Sequence, residues 1–128
     1  MIKISFAKTD EMERAKKFIF SIFPSSLVKL NSDDFLILAK RDSKIIGFLH
    51  ATSMDKKILL HGFGVVPKFR REGVGSMLLE FFLMRFASNP ILLKVKNLNP
   101  AADLYLKHGF FLKKYSDSIH ILAKQPNT

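Results

Sequence analysis

The 128-residue chain has no cysteine and no tryptophan. The first absence excludes disulfides, thiolate metal sites of the zinc-finger kind, and any covalent route through a cysteine nucleophile. It also fits a reducing compartment, although many exported proteins share it. Acidic residues are scarce: 11 Asp and Glu stand against 21 Lys and Arg, giving a formal charge of +10. A chain so short of negative charge suits anionic partners, of which nucleic acid, a membrane surface and a phosphorylated cofactor are the three classes. The basic residues lie in scattered pairs, Lys16-Lys17, Lys56-Lys57, Arg70-Arg71 and Lys113-Lys114, so charge alone does not choose among them. Long apolar runs are missing too. No stretch approaches the ~20 uncharged residues of a membrane span, and Met1 to Lys8 lack the apolar core of a signal peptide. A cytoplasmic protein without a membrane partner is therefore expected. With no repeat, low-complexity tract or Pro/Gly/Ser-rich linker, residues 1–128 are expected to form one domain.

Apolar filling is abundant, with 48% hydrophobic residues including 13 Phe, enough for a proper core. Residues 2 to 7 alternate Ile2, Ile4 and Phe6 with polar neighbours, the period of a half-buried strand. Asp10 followed by Glu13 has the spacing of a capping box, and Met12, Ala15, Phe18, Ile19 and Ile22 recur at helical spacing until Pro24. Three strands follow, Phe35 to Ala39, Lys44 to Thr52 and Lys57 to Val66, joined by links short enough for antiparallel neighbours. Val74 to Ala87 reads as a closely packed helix and Ile91 to Val95 as a buried strand. The intervening helix makes strands 57–66 and 91–95 parallel. Asn99-Pro100 opens a short helix that Gly109 closes, and 110–115 with 118–124 form a final hairpin. The order β-α-β-β-β-α-β-α-β-β predicts a mixed α/β fold, its sheet mostly antiparallel, with helices on both faces.

Between the strand ending at Val66 and the buried helix lies Arg70-Arg71-Glu72-Gly73-Val74-Gly75-Ser76. Glycines at a helix mouth let backbone approach a ligand, and free N–H groups at the positive end of the helix dipole attract phosphate. The string has too few glycines for a dinucleotide fingerprint and lacks the Lys-Ser/Thr of a P-loop. A tight turn with no ligand accounts for it equally well when it is taken alone.

It does not stand alone. Arg70-Arg71-Glu72-Gly73-Val74-Gly75, preceded by Val65-Val66-Pro67, resembles the acetyl-CoA signature Arg/Gln-x-x-Gly-x-Gly/Ala of the GNAT N-acetyltransferases. At the expected distance follows Ala101-Ala102-Asp103-Leu104-Tyr105-Leu106-Lys107-His108-Gly109-Phe110, similar to the family's second element. Where the family often has Asn, this chain has Leu98, flanked by Asn97 and Asn99.

The resemblance implies a GNAT fold and acetyl-CoA as cosubstrate. It implies that the backbone of Phe63, Gly64 and Val65 pairs with the pantetheine arm where strands 57–66 and 91–95 splay, with Gly62 and Gly64 suited to a bulge there. The loop from Arg70 and Arg71 through Glu72, Gly73, Val74 and Gly75 to Ser76 holds the pyrophosphate. Arg70 and Arg71 offset the charge of Glu72. Asn99 is a candidate for the pantetheine as well as a helix cap, and the Val65 N–H is a candidate donor to the oxyanion. Tyr105 matches the family's general acid, and a core-facing tyrosine is its plainer role. Relatives often carry a Glu base on the strand before the loop; here His61 is the titratable side chain in that stretch, with His50 a poorer candidate. Lys94 and Lys96 share one side of their strand and argue against a strongly cationic acceptor.

The implied activity is transfer of an acetyl group from acetyl-CoA to a primary amine of a small molecule or protein, by direct attack in a ternary complex. A non-catalytic acyl-CoA-binding module is the alternative, and association with nucleic acid ranks last for want of an aromatic-basic motif. No metal site is expected, and the protein is expected to be a monomer or homodimer. The acceptor would be set by the first helix and by the loops near 24–34 and 115–118.

Overall fold

The computed structural model describes residues 1–22, 30–96, 101–116 and 118–126. The chain runs through β1 (Ile2–Phe6), α1 (Met12–Ile22), β2 (Asp34–Arg41), β3 (Lys44–Met54), β4 (Lys57–Val65), α2 (Val74–Arg85), β5 (Ile91–Lys96), α3 (Ala101–Lys107), β6 (Phe111–Tyr115) and β7 (Ile119–Lys124). The order of elements read from the sequence is the one observed. The expected stop at Pro24 and the Asn99-Pro100 opening lie outside the described residues.

The capping box at Asp10 and Glu13 is not the one that forms. The chain enters α1 through a 3-10 turn, Thr9–Glu11, and the Glu11 carboxylate accepts the Lys8 N–H at 3.0 Å. Lys40 of β2 pairs with the same carboxylate, and Arg14 reaches it at 3.3 Å. Three donors gather on Glu11 and hold it at the cap.

The seven strands form one sheet in the order β1-β2-β3-β4-β5-β7-β6. Two-residue turns join β2 to β3 and β3 to β4, as their pairings Arg41↔Lys44 and Met54↔Lys57 show. Asp42 and Ser43 take φ of 51° and 69°, the double left-handed geometry that matches the twist of a hairpin. β4 and β5 are parallel through Ile58↔Ile91, Leu59↔Leu92 and Leu60↔Leu93. The last hairpin inserts so that β7, not β6, lies against β5.

Alternation along the strands divides the core. Leu36, Leu38 and Phe48 point to one face and pack with Ala15 and Ile19 of α1. Ile37, Leu49, Leu60 and Leu93 point to the other, where Val74, Leu78 and Phe82 of α2 and Tyr105 of α3 cover them. Helices thus lie on both faces of a mostly antiparallel sheet. Phe6, Phe35, Phe82 and Phe86 meet under one end of α2, with Phe35 and Phe86 stacked at 5.1 Å between centroids. Among the described residues no helix is long and apolar enough to cross a membrane.

Candidate active site

The parallel pairing of β4 and β5 ends at Leu60 and Leu93. Beyond it β4 continues to Val65 beside β3 alone, and β5 continues to Lys96 beside β7 alone. A bulge marks the parting: His50 pairs with Gly62 and Ala51 with Leu60, so His61 is the extra residue. The bulge inverts the phase of the strand. Before it, Ile58 donates its N–H toward the β5 side, to Pro90 O at 3.0 Å; after it, Val66 donates to Ile46 O of β3 at 2.8 Å. Neighbouring residues direct their backbone groups to opposite edges, so Val65 and Phe63 present theirs to the side β5 has left. On that side Arg70 Nε donates to Val65 O at 3.0 Å. The Val65 N–H faces the opening.

The loop that follows carries two left-handed residues, Arg71 at φ 71° and Gly73 at φ 79°. Met77 N–H bonds Gly73 O at 3.0 Å, so the N–H groups of Val74, Gly75 and Ser76 precede the first bonded turn of α2 and point outward. The two glycines have different reasons. A Cβ on Gly73 would meet nothing within 4 Å, so its left-handed φ alone calls for glycine and the space before it is open. A Cβ on Gly75 would stand 2.9 Å from the Phe63 ring; this glycine lets Phe63 of β4 lie against the start of α2.

The charge on Glu72, expected to be offset by Arg70 and Arg71, is met by Arg41 at 3.6 Å, while the Arg70 guanidinium is turned to Val65 O. Arg41, Lys44, Lys68 and Phe69 line a depression beside the loop, with the Arg41 guanidinium over the Phe69 ring. Sequence reasoning missed Arg41 and Lys44 because the β2–β3 turn lies about thirty positions upstream of the loop and carries no motif of its own.

Tyr105 is 2% exposed, its ring edge-on to Phe63 at 5.8 Å and to Phe110 at 5.6 Å between centroids. It is therefore a core residue that also borders the parting strands. Burial raises its phenol well above the ordinary value, which keeps it protonated. Gly109 closes α3 at φ 93°, as expected, and His108 ties α3 to α2 through Leu104 O at 2.9 Å and Glu80 at 3.5 Å.

His61 lies on the opposite face of the sheet from α2, the face of Leu59. There it joins a network that no local pattern announced. The Thr52 hydroxyl donates to Asp34 Oδ1 at 2.6 Å and also meets His61 Nε2 at 2.6 Å. A hydroxyl has one hydrogen, and the Asp34 carboxylate takes it, so Thr52 accepts and His61 must carry its proton on Nε2. The Nδ1 lone pair is then the basic one. His50 Nε2 lies 3.2 Å from Asp34 Oδ2, and the two imidazoles stack at 4.4 Å. Burial depresses the His61 pKa below its ordinary 6.5, with the neighbouring His50 adding to this and Asp34 opposing it. Burial would raise Asp34, but bonds from Thr52, His50 and the Asn31 N–H outweigh it and hold the carboxyl below 3.8.

Phe63, Val65, the loop from Arg70 to Ser76 and Tyr105 thus gather around one parting of strands, with Gly64 buried between Phe63 and Val65. Asn99 lies outside the described residues. Lys94 and Lys96 are both exposed, on the same side of the sheet as His61.

Solved structures share this architecture over the whole chain. The ribosomal-protein-S18-alanine N-acetyltransferase of Escherichia coli superposes with a TM-score of 0.85 at 19% identity, covering 100% of this chain and 96% of its own. A protein of Arabidopsis thaliana in complex with the bisubstrate analogue CoA-Ac-MVNAL gives 0.78 at 19% identity, covering 97% and 98%. The PaiA N-acetyltransferase of Thermoplasma acidophilum, in complex with coenzyme A, gives 0.71 at 17% identity, covering 98% and 99%. No curated protein matches by sequence. The family model of the acetyltransferase (GNAT) domain matches residues 32–111, from just before β2 to the start of β6. On that match, and with the fold to accompany it, the chain belongs to the GNAT acetyltransferase family.

Proposed function

We propose that the protein transfers the acetyl group of acetyl-CoA to a primary amine of a small molecule or protein, by direct attack in a ternary complex. The observation that carries this reading is the parting of β4 from β5 after Leu60 and Leu93, with the Val65 N–H turned into it. The backbone of Phe63 to Val65 offers the pantetheine amides a strand edge to pair with. The N–H groups from Gly73 to Ser76 offer the pyrophosphate donors at a helix N-terminus, and Arg41, Lys44 and Lys68 supply cations nearby.

His61 Nδ1 takes a proton from the ammonium of the acceptor. The freed amine lone pair attacks the thioester carbon, forming the C–N bond while the carbonyl π pair moves to oxygen, where the Val65 N–H meets the developing charge. Return of that pair breaks the C–S bond, Tyr105 gives its proton to the leaving thiolate, and the acylated nitrogen gives up its second proton, which through solvent restores the Tyr105 phenol. Thr52 and Asp34 position His61. The exposed Lys94 and Lys96 on the face of His61 favour an acceptor that is neutral or anionic around its amine.

A binding module without turnover is favoured by one observation: the β4 stretch from Ile58 to Gly62 carries no carboxylate. Calorimetric titration with acetyl-CoA, beside the Gly73→Glu variant, tests the cofactor site, and an amine screen with Tyr105→Phe as control tests turnover. Micromolar binding lost in the variant and turnover on any amine support the proposal. Binding without turnover across small amines and peptide N-termini leaves the module; no binding at all overturns both and turns attention to nucleic acid.

A further inference from the structure

Three adjacent strands each place one metal-ligating side chain on the same face of the sheet: Asp34 from β2, His50 from β3 and His61 from β4. One ligand atom of each lies within 4.8 Å of the others. From this convergence we infer that Asp34, His50 and His61 form a binding site for a divalent transition-metal cation of the zinc class.

The donor set is one carboxylate and two imidazoles, which suits zinc and its neighbours and not the oxygen-seeking calcium or magnesium. Two ligands of a tetrahedral zinc ion, each roughly 2.0–2.1 Å from the metal, sit roughly 3.3 Å apart. Asp34 Oδ2 and His50 Nε2 already have that spacing, at 3.2 Å. His61 has to approach by a rotation of its ring that gives up the Thr52 hydroxyl while staying beside His50, on which it stacks, and its exposed side leaves room for that rotation. The other two ligands are fixed, with side chains 5% exposed for Asp34 and 12% for His50. Water would complete the coordination on the open side. The site rests on strands, which hold ligand geometry more firmly than loops. Thr52, bonded to Asp34 Oδ1, leaves Oδ2 for the metal and orients the carboxylate, the part a metal's outer shell ordinarily plays. The bulge is what makes the convergence possible, because it brings His61 over His50 instead of beside the next residue of β3.

The site shares His61 and Asp34 with the proposed reaction, so a bound ion would occupy the base; the test therefore reads metal binding alone, with no acetyl-CoA or amine present, and its failure is distinct from a failure of turnover. The test uses the full chain, freed of any purification tag, titrated with Zn²⁺ by calorimetry and with Co²⁺ by visible absorption. The expected result is one equivalent bound at micromolar concentration, with ligand-field bands of low coordination number. His61→Ala, which removes an exposed ring and spares the core, should weaken binding at least tenfold, as should Asp34→Asn. His120→Ala, remote in the sheet on β7, should leave it unchanged. Absence of saturable binding, or binding that survives both His61→Ala and Asp34→Asn, overturns the site. Far-ultraviolet circular dichroism of each variant separates lost ligands from lost fold, and an Asp34→Asn chain that fails to fold leaves His61→Ala to decide.

Discussion

In the proposed reaction His61 and Tyr105 carry opposite requirements: the first must be unprotonated to accept a proton, the second protonated to give one. Burial meets both, lowering the imidazole and raising the phenol. The base therefore stays in its working form as the pH drops below 6.5, and the acidic limb of kcat at saturating amine should have its midpoint below that value. His50→Ala removes a neighbour that depresses His61, so the midpoint should move upward in a pH–rate profile. His61→Gln should lower kcat by about a hundredfold, the scale of a lost general base. Tyr105→Phe should lower kcat at least about tenfold with little change in KM, in steady-state assays across amine concentration. As candidates the two were legible because Tyr105 sits in a motif and His61 is the one titratable side chain between Ile58 and Gly62. Asp34, Thr52 and the stacking of His50 on His61 were not, because they come from three strands whose register and bulge no local pattern announces. Only the pairing of His50 with Gly62 brings them together.

Among the elements, α2 depends on its first turn. Its contact with β4 is made across Gly75, where any side chain would press on the Phe63 ring. Gly75→Ala should cost about 1–3 kcal/mol in urea denaturation, and pairing it with Phe63→Leu should recover part of the loss. An unchanged midpoint would mean that the ring moves freely. The strands and helices themselves were readable from pattern: apolar positions alternate in β1, β2 to β4 carry short apolar runs bounded by polar turns, and α2 shows solvent little beyond Glu80, Met84 and Arg85. The helix cap was misplaced because Asp10 and Glu13 have the right spacing, whereas Glu11 has the cations. The place of β7 between β5 and β6 was also unseen, since a hairpin pattern does not say which of its strands meets the sheet.

For the molecule as a whole, two carboxyls contribute to the response to acid. Glu11, through Lys40 and the Lys8 N–H, and Asp34, through the bonds that outweigh its burial, titrate below their ordinary values of 4.5 and 3.8. Their contribution is complete above those values and is lost as the pH falls through the lower, folded pKa of each. Acid unfolding of the Glu11→Gln/Asp34→Asn protein should accordingly be less steep below pH 4.5 than that of the parent, followed by circular dichroism. Stability elsewhere rests on packing: Phe82, 0% exposed beneath α2, should cost about 3–5 kcal/mol when cut to Ala, read by denaturant titration. The parting of β4 from β5 has one more consequence. In the proposed reaction the loop from Arg70 to Ser76 takes the cofactor on the face of α2 and His61 meets the amine on the other, so the sheet is a wall with a slit and each reactant has its own doorway. Neither has to leave before the other enters, and double-reciprocal rate plots for the proposed reaction should cross instead of running parallel.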